Sequence, residues 1–327
     1  MRRHQIHTRC LSPLPHPDSR PIALSLWLGF EIVEIGIPRD SVSKVFLFCL
    51  TIYSDRAGLA WVYFKGVSKH MKGVVLAGGK GSRLYPLTRV TNKHLLPVFD
   101  RPMIYYPIQT LVDAGIRDII VVTGGQNSGD FLRLLSNGKD FELHRIHYTY
   151  QEGEGGIADA LRLAEPFVEG EKICVILGDN IIENNIIAAK EAFEKQSSGA
   201  HIILKEVPDP ERFGCPEISG GEILEIEEKP KSPKSKFAVT GIYFYDATVF
   251  AKIGKTKPSL RNELEITDVN NMYLRERTLS HSILDGWWTD AGTFESLLRA
   301  TNMVAESGAN KIPLRGIPPR HFRSSDS

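Results

Sequence analysis

The residues with the clearest chemical potential form a glycine-rich, cationic turn directly after the apolar run 74–77. Gly78, Gly79 and Gly81 are followed by Arg83 and Lys93. Glycines remove side chains from a tight turn, so backbone N–H groups can converge on phosphate oxygens. Arg83 and Lys93 add full positive charge. The pattern indicates a site for a nucleoside triphosphate, and a bare glycine turn between a strand and a helix is the alternative.

Two common phosphate loops do not fit this turn. The dinucleotide fingerprint needs a third glycine after G-x-G-x-x, and Leu84 stands at that position. The loop of nucleotide hydrolases needs Gly-Lys followed by Ser or Thr, but here Gly79-Lys80 is followed by Gly81. If the turn binds phosphate, it does so as neither of these two loops.

Two aspartates have the chemistry of magnesium ligands. Asp179 follows the apolar run 173–177 and one glycine, and Asp290 precedes Ala291-Gly292 in what we expect to be a turn. Mg²⁺ prefers hard oxygen ligands and typically takes one or two protein carboxylates, with phosphates and water completing its shell. Considered singly, each aspartate could instead be a helix cap or a turn residue.

Alternating apolar runs and helical patterns predict the elements that position these residues. From residue 71 onward the pattern is that of an α/β, doubly wound, mostly parallel Rossmann-like sheet, and ligands of such sheets lie beyond the carboxyl ends of the strands. The second half is richer in β signals and is expected to continue the sheet. The predicted strands are 73–76, 119–123, 146–150, 173–177, 201–205, 222–227, 237–245 and 280–284. The predicted helices are 103–114, with an early kink at Pro107, 129–135, 157–164, 186–195, 269–275 and 293–306.

The composition excludes several classes of partner. With 40 basic and 39 acidic residues among 327, the net charge of +1 provides no broad cationic field for nucleic acid or membranes. The four cysteines are widely spaced without a C-x-x-C pair, so neither a zinc cluster nor a disulfide framework is indicated. We expect a reduced, cytoplasmic setting.

Six further motifs, in order, give the chain its resemblance to a known family. From about Met71 to about Val304 it resembles the sugar-1-phosphate nucleotidyltransferases, most closely the glucose-1-phosphate thymidylyltransferases (dTDP-glucose pyrophosphorylases), in a short form. The motifs are Asp100-Arg101-Pro102-Met103-Ile104-Tyr105-Tyr106-Pro107, Leu177-Gly178-Asp179-Asn180, Glu227-Glu228-Lys229-Pro230, Val239-Thr240-Gly241-Ile242-Tyr243-Phe244-Tyr245-Asp246, Glu263-Leu264-Glu265-Ile266-Thr267-Asp268 and Trp288-Thr289-Asp290-Ala291-Gly292-Thr293.

The resemblance implies a GT-A-like fold with a β-rich sugar-binding portion. It also implies a reaction in which dTTP and glucose 1-phosphate give dTDP-glucose and pyrophosphate with Mg²⁺ as cofactor. Arg83 and Lys93 would contact the triphosphate, Lys229 the sugar phosphate, and Asp179 and Asp290 the metal. The implied nucleotide-binding residues are Leu76, Gly78, Gly79, Gly81, Ser82, Gln151 and Gly156, and the implied sugar-binding residues are Asn180, Gly214, Glu228 and Val239.

The resemblance also bears on the two ends of the chain. In the family the first strand begins at the amino terminus, so residues 1–70 are expected to be an extension outside the catalytic fold. Residues 71–306 are then the catalytic domain and 307–327 a C-terminal tail, of which 312–327 is expected to be poorly ordered. The apolar runs 22–30 and 45–50 are shorter than the roughly 18 residues of a membrane span, and basic residues before the first leave a signal peptide as an alternative.

Other functions remain open at this stage. A uridylyltransferase would use the same chemistry, and the thymine methyl contributes only about 1–3 kcal/mol of selectivity. A non-catalytic regulator that binds nucleotide sugars would be expected to lack one of the five charged site residues. A nicotinamide-dependent dehydrogenase is disfavoured by the missing third glycine. A homo-oligomer is possible.

Overall fold

The computed structural model describes residues 22–27, 32–37, 48–54, 60–66, 70–125 and 127–311. The chain divides into two compact units, Met1–Ser68 and Lys69–Ser327. The predicted tail from residue 312 onward lies outside the described residues, and so does Gln126.

The described part of the first unit consists of two pairs of antiparallel strands. Strand β1 (Ile22–Trp27) pairs with β2 (Ile32–Ile37), and β3 (Phe48–Ser54) pairs with β4 (Ala60–Gly66). The apolar run 22–30 thus contributes a strand of six residues. Within the described ranges, no helix has the length and apolarity that crossing a bilayer requires.

The second unit is an α/β structure. Its strands are β5 (Lys72–Ala77), β6 (Pro97–Val98), β7 (Arg101–Pro102), β8 (Asp118–Gly124), β9 (Arg145–Gln151), β10 (Ile173–Leu177), β11 (Asn180–Ile182), β12 (Ala200–Glu206), β13 (Gly214–Ser219), β14 (Glu222–Glu228), β15 (Phe237–Tyr245), β16 (Leu279–Ile283) and β17 (Trp288–Asp290). Its helices are α1 (Tyr105–Asp113), α2 (Ser128–Leu135), α3 (Ile157–Arg162), α4 (Glu165–Val168), α5 (Ile187–Glu194), α6 (Thr248–Ile253), α7 (Ile266–Arg275) and α8 (Phe294–Ser307). Short 3₁₀ helices lie at Ser82–Leu84, Leu87–Arg89, Lys93–Leu95, Lys139–Phe141 and Pro210–Arg212.

Seven strands form one sheet in the order β16-β12-β15-β10-β5-β8-β9. Neighbours in this sheet are parallel except β15, which is antiparallel to both β10 and β12. Alternate residues of a strand point to opposite faces, so Val75 packs in one apolar core with α1 and α5, whereas Val74 packs in another with α3 and α7. The predicted doubly wound, mostly parallel fold is confirmed.

Several boundaries differ from those predicted. Helix α1 begins at Tyr105 rather than at residue 103. Pro107 therefore lies in its first turn, where backbone N–H groups have no partner within the helix and a proline requires no kink. The helix predicted over 157–164 ends at Arg162, and α7 begins at Ile266, three residues earlier than predicted. Strands β11, β13 and β17 and helix α6 were not predicted.

Candidate active site

A cavity of about 590 Å³ lies where β5, β9 and β10 end and the glycine-rich turn begins. The structure brings every residue that was predicted for the site to the wall of this cavity. These residues are Leu76, Gly78, Gly79, Gly81, Ser82, Arg83, Lys93, Gln151, Gly156, Asp179, Asn180, Gly214, Glu228, Lys229, Val239 and Asp290. Residues from the whole length of the second unit thus share one concave site.

The glycine turn needs at least one of its glycines for its shape. Gly81 has a φ of 67° and precedes the 3₁₀ helix that carries Arg83. A β-carbon at residue 81 would lie 2.8 Å from Cβ of Lys93 and 2.9 Å from Cγ2 of Thr88. The left-handed backbone and this crowding both exclude a side chain at position 81. The turn is therefore held close to Lys93.

Lys93 and Asp179 form a nearly buried ion pair. Nζ of Lys93 donates to Oδ2 of Asp179 at 2.6 Å, and the two side chains are 13% and 11% exposed. Burial raises the pKa of the Asp179 carboxyl, but the charge of Lys93 and its hydrogen bond outweigh burial and hold the pKa well below its usual range. Asp179 therefore faces the cavity as a carboxylate at neutral pH.

Asp290 reaches the same place from the last strand. It ends β17 rather than lying in the predicted turn, and it is paired with Asn180 across the β11–β17 ladder. Nη2 of Arg212 donates to both carboxylate oxygens of Asp290 at 3.1 Å, and Nη1 donates to Asp209 at 2.7 Å. Burial and the neighbouring charge of Asp179 raise the pKa of Asp290, against the opposing charges of Arg212 and Arg83.

The two carboxylates border a small open space beside Gly292. A β-carbon at residue 292 would lie 3.3 Å from Oδ2 of Asp290, 3.5 Å from Oδ2 of Asp179 and 3.2 Å from Nη2 of Arg83. Over the ranges that the structure describes, no group of three or more His, Cys, Asp or Glu side chains could hold a metal. Two convergent carboxylates fit Mg²⁺, which needs few protein ligands, better than a zinc site built of nitrogen and sulfur ligands.

One end of the cavity contains Gln151 and Gly156, which were predicted to bind the nucleotide. Gln151 is the last residue of β9, and Gly156 precedes α3 with a φ of 92°. Nε2 of Gln151 donates to the Gly156 carbonyl at 3.2 Å and to Oδ2 of Asp159 at 2.9 Å. A β-carbon at Gly78 would lie 2.5 Å from Oε1 of Gln151, so the carbonyl end of the amide rests on the glycine turn.

The opposite end of the cavity is built around the β13–β14 pair. Gly214 and Glu228 are direct partners in this ladder. Oε2 of Glu228 accepts a hydrogen bond from Thr267 at 2.6 Å, while Oε1 lies 3.7 Å from Nζ of Lys229. Lys229 has a φ of 47°, and its side chain is 47% exposed. Its ammonium group is therefore available to a ligand in the cavity.

Two predicted sugar-binding residues have a clear structural role as well. Oδ1 of Asn180 accepts hydrogen bonds from the Gly241 N–H at 2.9 Å and from Nε1 of Trp288 at 2.7 Å. This amide therefore joins β11 to β15 and β17. Val239 of β15 is buried in the sheet core and also lines the cavity.

Sequence reasoning did not select several residues that line the cavity. Arg212 lies within the segment 209–214, where only Gly214 was predicted to bind ligand. His94 adjoins Lys93, and burial together with the charge of Lys93 lowers its pKa to about 3. Thr267 and Glu263 lie within one of the motifs that carry the family resemblance. The available signals were proximity to a selected residue for Arg212 and His94, and membership of a family motif for Thr267 and Glu263.

Comparisons with known proteins agree with this geometry. Residues 72–307 match the nucleotidyl transferase family. The chain is 48% identical over 241 residues to the glucose-1-phosphate thymidylyltransferase of Neisseria meningitidis serogroup A. The aligned region covers 72% of this chain and 82% of that protein. The chain is 42% identical over 237 residues to the enzyme of the same name from Actinoplanes sp., with coverages of 72% and 78%.

A solved structure gives the same result. A crystal structure of a Bacillus anthracis protein described as a glucose-1-phosphate thymidylyltransferase, in complex with sucrose, is 51% identical to this chain. It superposes with a TM-score of 0.70 and covers 72% of this chain and 96% of the solved chain. The match to the family over residues 72–307, the relatives and the convergent site lead to one conclusion: the chain belongs to the nucleotidyl transferase family.

Proposed function

We propose that this chain transfers a thymidylyl group from dTTP to glucose 1-phosphate and releases pyrophosphate and dTDP-glucose. A phosphate oxygen of the sugar phosphate attacks the α-phosphorus of the nucleotide in line with the departing pyrophosphate. The P–O bond to the sugar phosphate forms as the bond to pyrophosphate breaks. No covalent nucleophile from the protein is required, because this type of transfer depends mainly on alignment and on neutralising negative charge.

The chain supplies fixed cations at both ends of that reaction. Arg83 and Lys93 adjoin the glycine turn, where the triphosphate and departing pyrophosphate bind. Lys229 lies beside Glu228, where the sugar phosphate binds. Because Lys93 is nearly buried, its charge acts with less screening than it would in water. These cations also hold two polyanions together that would otherwise repel one another.

Asp179 and Asp290 would hold a divalent cation, and Mg²⁺ suits their number and chemistry. The bound ion supplies positive charge to the phosphate oxygens. Two basic residues of the protein orient these carboxylates. Lys93 pairs with Asp179, and Arg212 pairs with Asp290.

One observation carries the proposal, namely the convergence of both carboxylates and of Arg83 and Lys93 within one cavity. The relatives named above supply the identity of the nucleotide and sugar. A regulator without catalytic activity would have no need for all of these charges. The five charged residues expected of a catalyst, Arg83, Lys93, Asp179, Lys229 and Asp290, are all present.

The test is a matrix of pyrophosphate-release rates. dTTP, UTP, ATP, CTP and GTP are each combined with the 1-phosphates of glucose, galactose, mannose and N-acetylglucosamine, with and without Mg²⁺. The proposal requires the highest kcat/KM with dTTP and glucose 1-phosphate and loss of turnover in EDTA. A preference for UTP would instead identify a uridylyltransferase, and binding without turnover would identify a regulator.

The proposal extends to the organisation of the chain. We assign catalysis to residues 71–306, because the family match begins at residue 72 and the compact second unit begins at Lys69. Residues 1–70 are then outside the catalytic fold. Because nucleoside triphosphates are kept within the cell, we also assign the reaction to the cytoplasm.

A further inference from the structure

The amide of Gln151 has both of its N–H groups engaged within the protein. One is donated to the Gly156 carbonyl at 3.2 Å and the other to Oδ2 of Asp159 at 2.9 Å. Among the described residues, no donor reaches Oε1, which lies against Gly78 at the cavity wall. The group that Gln151 offers to a ligand is therefore a hydrogen-bond acceptor only.

The orientation of this amide follows from its surroundings. If the amide were rotated by 180°, Oε1 would face the carboxylate of Asp159 and the carbonyl oxygen of Gly156, which are both acceptors. Nε2 would then point at the cavity, and two buried acceptor contacts would be repulsive. The surroundings therefore select the orientation with the oxygen toward the ligand.

Asp159 is itself held in place. It lies in the first turn of α3, and its second oxygen, Oδ1, accepts from Nη2 of Arg162 at 2.9 Å. The result is a chain of contacts from Arg162 through Asp159 to the amide of Gln151. The two contacts use different oxygens of Asp159, so the glutamine N–H does not compete with Arg162.

We propose that Asp159 is a positioning residue that sets which bases the site accepts, an inference that rests on the proposed function. With Gln151 fixed as an acceptor, the site favours a base that donates a ring N–H, as thymine and uracil do at N3. Cytosine presents a lone pair at N3, which would face the lone pairs of Oε1. The Asp159 contact thereby discriminates against dCTP without touching the nucleotide.

The test compares Asp159→Ala and Asp159→Asn with the unaltered full-length protein. kcat/KM is measured for dTTP, dUTP and dCTP at saturating glucose 1-phosphate and Mg²⁺. In Asp159→Ala the amide can rotate and offer an N–H to N3 of cytosine. We expect the dTTP-to-dCTP ratio of kcat/KM to fall by about tenfold or more. The dTTP-to-dUTP ratio should stay unchanged, since both bases carry the same N3–H.

Arg162→Ala is the matched control. It removes the ion pair on Oδ1 but leaves the contact between Oδ2 and Gln151, so the dTTP-to-dCTP ratio should be retained. Equal loss of activity toward all three nucleotides in Asp159→Ala would show a purely structural role and overturn the inference. An equal fall of the ratio in Arg162→Ala would overturn it as well.

Asp159→Asn preserves the shape of the side chain if the alanine variant does not fold. Its amide can present either an acceptor or a donor to Gln151, so an intermediate ratio is expected, and an unchanged ratio would contradict the inference. Should the unaltered protein show no turnover with dTTP and glucose 1-phosphate, the proposed function fails on its own. Calorimetric binding of dTTP and dCTP to the same proteins then still decides the role of Asp159.

Discussion

Nζ of Lys93 lies 2.6 Å from Oδ2 of Asp179, and both side chains are almost completely removed from solvent. This contact ties the 3₁₀ helix Lys93–Leu95 to the segment that follows β10. It keeps Asp179 charged despite burial, and it places a cation where a triphosphate would bind. Removal of the Lys93 ammonium group should therefore affect both the reaction rate and the charge state of Asp179.

We expect Lys93→Met to lower kcat at least about 100-fold, because a preorganised charge at the phosphates is lost. The measurement is steady-state pyrophosphate release with dTTP and glucose 1-phosphate. Lys236→Met is the control, since that lysine side chain is 82% exposed and lies 3.9 Å from Glu206. A rate for Lys93→Met within about threefold of the control, in a protein with native circular dichroism, would exclude the proposed role.

Gly292→Ala should reduce turnover while leaving the fold stable. The added methyl group would enter the space bordered by Asp179, Asp290 and Arg83. We expect kcat to fall by about tenfold or more, because misplaced catalytic groups lose alignment. Metal affinity should weaken as well, which titration with Mn²⁺ can measure.

Gly129→Ala is the control for that substitution. Gly129 lies in α2, and nothing lies within 4 Å of a β-carbon built there. Alanine should slightly stabilise the helix and leave kcat unchanged. If Gly292→Ala and Gly129→Ala had equal activity, the space beside Gly292 would have no part in catalysis.

Arg212→Lys should lower kcat/KM by about tenfold or more, since lysine has one nitrogen and cannot hold Asp209 with Nη1 and Asp290 with Nη2 as Arg212 does. Part of the effect should appear in the KM for glucose 1-phosphate. Phe213, the next residue, accepts a hydrogen bond from the N–H of Lys229. The control is Arg133→Lys on α2, whose side chain is 82% exposed and pairs with Asp130. If the two variants had identical kinetics, Arg212 would have no part in the reaction.

Stability should fall on acidification partly because of His201. This ring is buried between the hydroxyls of Ser280 and Ser282, at 2.7 and 3.0 Å, and burial, with the nearby charge of His281, lowers its pKa from 6.5 to about 4. Between these pH values the unfolded chain binds the proton more readily, so the free energy of unfolding should decrease as pH falls. His201 contributes a slope of at most about 1.4 kcal/mol per pH unit there.

The measurement is urea unfolding at several pH values between 4 and 7 for the native protein and for His201→Gln. The variant should show a shallower dependence in this range, whatever its absolute stability. If the free energy of unfolding changed equally with pH in the two proteins, groups other than His201 would be responsible for the pH dependence.

A protein that lacks residues 1–70 should fold and retain kcat/KM within about threefold of the full chain, because the described residues that line the cavity run from Leu76 to Gly292. Met71 is buried, and Nζ of Lys72 donates hydrogen bonds to the Phe167 carbonyl and to Glu169. Strand β5 is therefore held in place by residues of the second unit. Activity and thermal unfolding are the readouts. Insolubility or inactivity of the shortened protein would assign residues 1–70 a part in the catalytic fold.

Much of the fold was predictable because its signals are local. Apolar runs such as 173–177 and 237–245 are long enough to mark buried strands, and their alternation with helical patterns specifies the sheet type. Short strands carry too few residues for a pattern, so β11 and β17 were missed. The start of α1 was predicted at residue 103 rather than at Tyr105, because a sequence pattern does not fix which residue of a helix is first.

The sequence indicated many of the residues that line the cavity, but not the contacts among them. Glycines and aspartates at strand ends could be identified from sequence, whereas the pairing of Arg212 with Asp290 joins residues 78 positions apart. Nothing in the local sequence around Arg212 indicates which carboxylate it will meet. The same holds for Thr267 and Glu228, whose contact depends on how α7 packs against β14.

The pairing of β11 with β17 has a consequence for the synthesis of the enzyme. Asp179 leaves the ribosome before its counterpart, which arrives only with the strand at Trp288–Asp290. A nascent chain that stops short of this strand carries the glycine turn and its cations with only one of the two carboxylates. Synthesis itself thus delays activity until this strand has been made.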